Sequence, residues 1–152
     1  MKNRKLIIDQ IDRKLSRFQG LSQISLPEQG WVRSIRIALN MTLKQLGKRL
    51  NVTPPSVKEI EDREKNGTIS INILKKFGEA MDMKFVYGFI PQKGSINEII
   101  NQQAYEVAKI IVLRTAKNME LEDQLVFNEQ IEKAINEKKN EIIQELPKYL
   151  WE

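Results

Sequence analysis

The chain contains no cysteine and no histidine among its 152 residues. Without cysteine there are no disulfides, thiolate zinc sites or cysteine nucleophiles. Without histidine the chain lacks the usual general base at neutral pH and the commonest metal ligand. No Ser–Lys or paired-carboxylate motif takes their place. We therefore expect no catalytic site, no metal site, no cofactor and no enzymatic activity.

Glycine, proline and long apolar runs are also scarce. With 7 Gly and 5 Pro, the sequence leaves little room for repetitive or disordered segments. The longest uninterrupted apolar run, Ile110 to Leu113, is far shorter than the roughly 20 residues that cross a bilayer. Asp9, Asp12 and Arg13 interrupt the region where a signal peptide would have its apolar core. These features predict a cytoplasmic protein that does not enter a membrane.

Charge is unevenly distributed along the chain, which has a net charge of +5. Residues 1–117 contain 21 basic and 11 acidic side chains, whereas residues 118–152 contain 4 basic and 9 acidic ones. A basic body favours a polyanionic partner, and double-stranded DNA is the leading candidate. We expect the acidic C-terminal end to face away from such a partner.

The apolar periodicity predicts a mainly α fold with three segments. These are a basic N-terminal helix and linker (1–26), a DNA-binding domain (27–82), and a strand plus C-terminal helical region (83–152). The first helix has Ile7, Ile11, Leu15 and Phe18 on one face. Further helices are predicted from Pro27 to about Asn40, over Leu43 to Leu50, Pro54 to Arg63, Ile71 to Met81, Ile96 to about Lys117, and about Leu121 to Leu146.

Two of these helices form the most informative unit. Thr42 and Gln45 make a capping box ahead of the first one. Asn51 suits the left-handed conformation of a turn residue. Thr53 then caps a helix whose first residue is Pro54, where a missing N–H is tolerated. Two capped helices joined by a three-residue turn are typical of a helix-turn-helix.

The second helix of the unit is predicted to have a buried and an exposed face. Its inner face contains Val57, Ile60 and Glu61, and its short polar outer face has the form of a recognition helix. An ordinary helical hairpin with solvated side chains is the alternative. Gly47 lies inside the preceding helix, where it would let the second helix cross closely. The candidate DNA-binding residues are Arg33, Thr42, Lys44, Lys48, Thr53, Pro54, Pro55, Ser56, Lys58, Glu59 and Arg63.

At these residues the sequence resembles a known group. Met41 to Glu61 is similar to the helix-turn-helix of the Cro/phage-repressor (xenobiotic-response-element) superfamily, whose fold is lambda-repressor-like. More narrowly, about residues 1–108 resemble the mobile mystery protein A family. The features that carry this resemblance are the basic N-terminal helix, Gly30 to Arg36, the helix-turn-helix, Asn66 to Ile69, Phe85 to Tyr87 and Ile90-Pro91. The resemblance implies a regulator or antitoxin paired with a Fic-domain protein.

The sequence departs from that superfamily at three positions. Several relatives have Gln where this chain has Leu43, Pro54 and Pro55. Proline can contact a thymine methyl group but cannot hydrogen-bond a base edge, so direct readout falls to Ser56, Lys58, Glu59 and Arg63. Phosphate contacts fall to Lys44, Lys48 and Arg33. No Glu in the chain is followed by Gly or Asn, so the glutamate-bearing inhibitory helix common in Fic regulation is absent from the sequence.

The stretch Lys84 to Ile90 is rich in β-branched and aromatic residues and is predicted to be a short strand. Leu21 to Leu26 is the one weak candidate for a second strand. We therefore expect the strand to pair with its copy in a homodimer, although pairing within a monomer remains an alternative. The predicted dimer-interface residues are Phe85, Val86, Tyr87, Phe89, Ile110 and Leu113.

Two functional hypotheses follow. The first is a sequence-specific DNA-binding transcriptional regulator, an autorepressor or antitoxin paired with a Fic-domain protein. The second is a protein-interaction module that binds and neutralises a partner protein without reading DNA. Neither the operator sequence nor the identity of the partner follows from the residues.

Overall fold

The protein is mainly α-helical in its computed structural model, which describes residues 2–116 and 124–152. Seven α-helices lie within those ranges, and no strand does. Short 3₁₀ turns follow α1, at Gln19–Gln23, and α7, at Lys148–Trp151. The helices are α1 (Lys2–Ser16), α2 (Trp31–Ala38), α3 (Leu43–Leu50), α4 (Pro54–Lys65), α5 (Ile71–Ala80), α6 (Ile96–Ala116) and α7 (Gln124–Glu145).

The chain divides into two compact units. The central unit, residues 23–88, contains α2 to α5. The terminal unit consists of residues 1–22 together with residues 89–152 and contains α1, α6 and α7. Helix α1 therefore packs with the C-terminal helices, and the predicted N-terminal segment 1–26 does not stand apart as a separate body.

The core of the central unit draws one or two side chains from each of its four helices. Its buried members are Val32, Leu46, Val57, Phe77 and Met81. Leu46 is fully buried, whereas Leu43 and Leu50 pack beside it at the edge of the core. These three leucines are the inward residues that the helical spacing in α3 predicts.

The core of the terminal unit lies between α6 and α7. Its buried members are Ile100, Ala104, Ala108, Ile135, Ile142 and Leu150, the last from the C-terminal 3₁₀ turn. Ala104 and Ala108 are one helical turn apart on α6, and small side chains at that spacing let the two helices approach closely.

Helix α1 packs on this core with a different face from the predicted one. Ile8 packs against the buried cluster, whereas Ile7 is 51% and Ile11 40% exposed. The physical reason lies at Asp12, whose carboxylate accepts hydrogen bonds from the backbone N–H groups of Ile96 (2.8 Å) and Asn97 (3.4 Å). A carboxylate at a helix N-terminus is favourable, and this contact sets the rotation of α1. Such a tertiary contact leaves no mark on the apolar spacing.

The second helix begins at Trp31 and not at Pro27. Gly30 has φ 83°, a conformation that interrupts a helix and that residues other than glycine adopt rarely. The carboxylate of Glu64 accepts hydrogen bonds from the N–H groups of Trp31 and Val32, both at 2.8 Å. An ideal Cβ at position 30 would lie 2.8 Å from Glu64 Oε2, so glycine is required for this capping contact.

The predicted strand Lys84 to Ile90 is absent from the described part of the chain. Residues 84–93 make no backbone–backbone hydrogen bond with any described residue, and Leu21 to Leu26 does not pair with them. The β-forming composition is real, but a strand exists only when its backbone groups meet a second one. The segment therefore stays irregular within the single chain.

Within residues 2–116 and 124–152, no helix combines the length and apolar character that a membrane span requires. The second predicted capping box is confirmed, because Ser95 Oγ accepts from Glu98 N and Glu98 Oε2 accepts from Ser95 N, both at 3.2 Å. The predicted start of the last helix, Leu121, lies outside the described residues.

Candidate nucleic-acid interface

Helices α3 and α4 form a capped pair joined by Asn51, Val52 and Thr53. Thr42 Oγ1 accepts from Gln45 N at 3.1 Å, and Gln45 Oε1 accepts from Thr42 N at 2.8 Å, which completes the predicted capping box. Asn51 ends α3 in the left-handed conformation, with φ 57° and ψ 41°. The local signals in the sequence therefore place both helix ends and the turn between them.

Gly47 allows the turn to close tightly against α3. Val52 N donates to Gly47 O at 2.9 Å, so the chain folds back directly over this residue. An ideal Cβ at position 47 would lie 2.6 Å from Val52 O and 3.4 Å from Val57 Cγ2. The predicted close approach at Gly47 is therefore present, and the obstacle to a side chain there is backbone, which cannot swing aside.

We expect Gly47→Ala to destabilise the central unit by about 1–3 kcal/mol, because relief of the clash must shift the turn. This outweighs the roughly 1 kcal/mol that alanine gains over glycine inside a helix. Urea unfolding in a Trp151→Phe background measures the change, since Trp31 is then the only tryptophan and lies in the central unit. Gly20→Ala is the matched control, because a Cβ there meets nothing within 4 Å. Equal midpoints for the two variants would contradict the expectation.

The N-terminus of α4 is capped but offers few free donors. Thr53 Oγ1 accepts from Ser56 N at 3.3 Å and lies 2.8 Å from the Ser56 hydroxyl. Pro54 and Pro55 follow the cap, and proline has no N–H to present. At this end of α4, contacts to a ligand would therefore come from side chains.

The exposed face of α4 differs in rotation from the predicted one. Val57 and Glu61 are buried and Ile60 is half-buried, as the spacing predicts. The exposed side chains on the opposite side are Pro55, Lys58, Glu59 and Asp62. Ser56 and Arg63 are half-buried at its margins. The sequence reasoning missed Asp62, although its i+7 position from Pro55 places it on this face.

Arg63 is held at the C-terminal end of α4. Its Nη2 donates to Thr68 O at 3.3 Å, and Thr68 N donates to Arg63 O at 2.9 Å. This places the guanidinium two turns away from Ser56 and ties it to the loop after the helix. The arrangement separates Arg63 from the other candidate base-contacting residues, which cluster at the start of α4.

Exposed basic side chains lie on α3 beside α4. Lys44 and Lys48 are exposed one helical turn apart. Arg49 is exposed too, but its Nη1 donates to Ala80 O at 3.0 Å and lies 3.7 Å from Asp82 Oδ2. Among the described residues Lys44 and Lys48 have no ion-pair partner. The predicted lysine pair is therefore available to an anionic ligand.

Arg33 on α2 is half-buried, unlike the two lysines. Its Nε is buried and has no hydrogen-bond partner among the described residues. Arg33 therefore has less freedom than Lys44 or Lys48 to reach a ligand from the surface.

A buried ion pair fixes α4 against α2. Arg36 Nε and Nη2 donate to the two carboxylate oxygens of Glu61, and Arg36 Nη1 donates to Met41 O at 2.9 Å. The side chain of Glu61 is 3% and that of Arg36 12% exposed. Glu61 and Glu64 both face α2 across this contact, so two of the acidic residues of α4 are not part of its exposed face.

The predicted dimer-interface residues are mostly exposed. Phe89 is 81% exposed, and Val86, Tyr87, Ile110 and Leu113 are also exposed, whereas Phe85 is half-buried. The rings of Phe85 and Tyr87 stack with their centroids 6.1 Å apart. Each unit thus leaves apolar side chains uncovered at these positions.

Comparison with protein-family models, with curated proteins and with solved structures finds no match to this chain. Function must therefore be inferred from the side chains and their geometry.

Proposed function

We propose that the chain is a sequence-specific DNA-binding transcriptional regulator that acts in the cytoplasm. In this proposal α3 and α4 are a helix-turn-helix in a lambda-repressor-like domain formed by α2 to α5. Helix α4 is the recognition helix that enters the major groove. The single observation that carries the proposal is the exposed polar start of α4 beside the unpaired Lys44 and Lys48 of α3.

The proposed contacts divide between phosphate and base. The first N–H groups of α3 follow Thr42, and together with Lys44 and Lys48 they suit a phosphate oxygen. At the start of α4, Pro55 suits a thymine methyl group, and Lys58 and Glu59 suit guanine and cytosine edges respectively.

Charge supports the same assignment. The central unit contains 11 basic and 7 acidic residues, a net charge of +4. Of those acidic residues, Glu61 and Glu64 bind groups of α2 inside the unit and do not face a ligand. The charge available to a DNA backbone is therefore more positive than the sequence of α4 suggests.

Fluorescence anisotropy tests the proposal. A labelled duplex from upstream of the protein's own gene is titrated with and without an excess of non-specific competitor DNA. We expect binding that survives the competitor and that a scrambled duplex of the same composition loses. Equal affinity for the two duplexes would contradict sequence-specific readout.

Removal of the charges of Lys44 and Lys48 should weaken binding to all DNA sequences alike. Each lost phosphate contact makes the slope of log K against log salt shallower by about 0.9, so the double alanine variant should lose up to about 1.8. Salt titrations of anisotropy measure the slope. Lys75→Ala with Lys76→Ala is the matched control, because these lysines are exposed on α5 away from the α3–α4 pair. An unchanged slope in the first variant would place its lysines away from the phosphates.

A second candidate function is a protein-binding module that neutralises a partner without reading DNA. The observation that favours it is the presence of two carboxylates, Glu59 and Asp62, on the exposed face of α4. Carboxylates repel phosphates and suit a basic protein surface. The resemblance described above adds a Fic-domain protein as the candidate partner for either role. Absence of any competitor-resistant DNA binding would favour this second function.

We further propose that the regulator acts as a homodimer. The unpaired backbone of residues 84–90 would pair antiparallel with the same segment of a second copy, and the exposed Ile110 and Leu113 would help to cover the resulting ribbon. Lys84 is the only charged residue in the segment, so self-pairing brings no row of like charges together.

A further inference from the structure

The terminal unit contains a groove that the proposed function does not use. It lies between the first half of α1, the start of α6 and the C-terminal end of α7, and its volume is about 750 Å³. Small-molecule sites usually occupy about 300–1,000 Å³. The groove is therefore large enough to hold a small ligand.

The floor of the groove is apolar. Ile8 of α1, Ile100 of α6 and Ile143 of α7 line it, together with Leu146. These residues belong to the core of the terminal unit or pack against it, so helix–helix packing fixes their positions. A ligand that lies along this floor must have an apolar body.

The rim of the groove is cationic on the side of α1. Arg4 Nη1 donates to Leu146 O at 3.2 Å, which leaves the other donors of its guanidinium free, and Lys5 has no ion-pair partner among the described residues. Glu145 is the one acidic residue that lines the groove. An apolar floor beside two cations and one carboxylate suits a ligand with an apolar chain and one negative charge.

We propose that this groove binds a single-chain anionic amphiphile, a straight-chain carboxylate in its free, monomeric form. The carboxylate lies between Lys5 and the free donors of Arg4, and the alkyl chain lies along Ile8, Ile100 and Ile143. Burial of the chain supplies affinity, and the charge-assisted hydrogen bonds select an acid over an alcohol or a cation. The site is independent of the α3–α4 pair and does not rest on DNA binding.

Isothermal titration calorimetry with the full chain tests the proposal. Decanoate is the probe, used below its micelle concentration, and decan-1-ol and decyltrimethylammonium provide the same chain with no charge or a positive one. We expect saturable binding of decanoate, with the other two at least about tenfold weaker, since loss of a hydrogen bond to a charged group costs about that much. Equal binding of the three compounds, or no saturable binding of decanoate, would overturn the proposal.

Variants of α1 locate the site. Lys5→Ala should weaken decanoate binding about tenfold, and Lys5→Glu should weaken it further, because the rim then has a net negative charge. Lys14→Ala is the matched control, since Lys14 is exposed on the same helix but does not line the groove. Both lysines are at the surface, so circular dichroism should show the same helicity for all three variants. An equal loss in Lys14→Ala and Lys5→Ala would overturn the assigned location.

A vesicle experiment distinguishes the free amphiphile from a lipid surface. The protein is sedimented with phosphatidylglycerol vesicles at the salt concentration of the calorimetry. We expect decanoate to bind whether or not the protein sediments. Sedimentation with vesicles, combined with no saturable decanoate binding, would identify a surface interaction of the basic helix α1 and overturn the groove proposal.

Discussion

Glu61→Ala should lower the free energy of unfolding of the central unit by about 3–5 kcal/mol, the largest stability effect we expect in this chain. The substitution leaves the guanidinium of Arg36 buried without the two carboxylate oxygens that accept from it. A buried charge without a partner costs several kcal/mol, whereas total stabilities are typically about 5–15 kcal/mol. Urea unfolding followed through Trp31, in the Trp151→Phe background, measures the loss.

Glu79→Ala is the control for this prediction, because Glu79 is exposed on α5 and has no ion-pair partner among the described residues. The double variant Arg36→Met, Glu61→Met removes both charges and should regain most of the loss, since a buried pair often exchanges for apolar side chains at little cost. A loss below about 1 kcal/mol for Glu61→Ala would show that water reaches the pair and that its contribution is that of a surface ion pair.

The same ion pair connects stability with the proposed function. Arg36 and Glu61 join α2 to the middle of α4, and Glu64 joins the start of α2 to the end of α4. These contacts orient α4 so that Pro55, Lys58 and Glu59 are exposed. A helix enters a groove productively only when its scaffold holds it in place. Destabilised variants of Glu61 should therefore also lose DNA affinity, including at temperatures where they remain folded.

Local signals in the sequence predicted the part of the fold that carries the candidate site. The capping box at Thr42, the left-handed Asn51 and the cap at Thr53 each act within a few residues, so each is legible without tertiary information. Gly47 was legible for the same reason, because its contact is with the turn that follows it.

Contacts between distant residues account for the differences. The face of α1 is set by Asp12, whose partners lie 84 and 85 residues away. The late start of α2 depends on Glu64, more than 30 residues further along the chain. The segment 84–90 has the composition of a strand, but composition cannot supply the second strand that its backbone needs. Asp62 was missed because the exposed face was centred one position away from its observed centre.

The absent strand leads to the second large effect. Val86→Pro should convert a dimer into a monomer, because proline removes the N–H at the centre of the unpaired segment and fixes φ. Light scattering at micromolar concentration should give twice the 17.7 kDa chain mass for the wild type and 17.7 kDa for the variant. Val86→Thr is the matched control, since threonine keeps the N–H, the β-branch and the strand propensity, and it should remain dimeric.

The change of oligomeric state should carry over to DNA. Two recognition helices related by a two-fold axis would meet half-sites about 34 Å apart, so the preferred operator is an inverted repeat. Loss of the second half-site contact lowers the affinity by about 10²–10⁴-fold. Val86→Pro should therefore bind an inverted repeat no better than a single half-site. A wild type of 17.7 kDa would contradict the dimer, and a Val86→Pro variant that stays dimeric would move the interface to other exposed apolar residues such as Ile110 and Leu113.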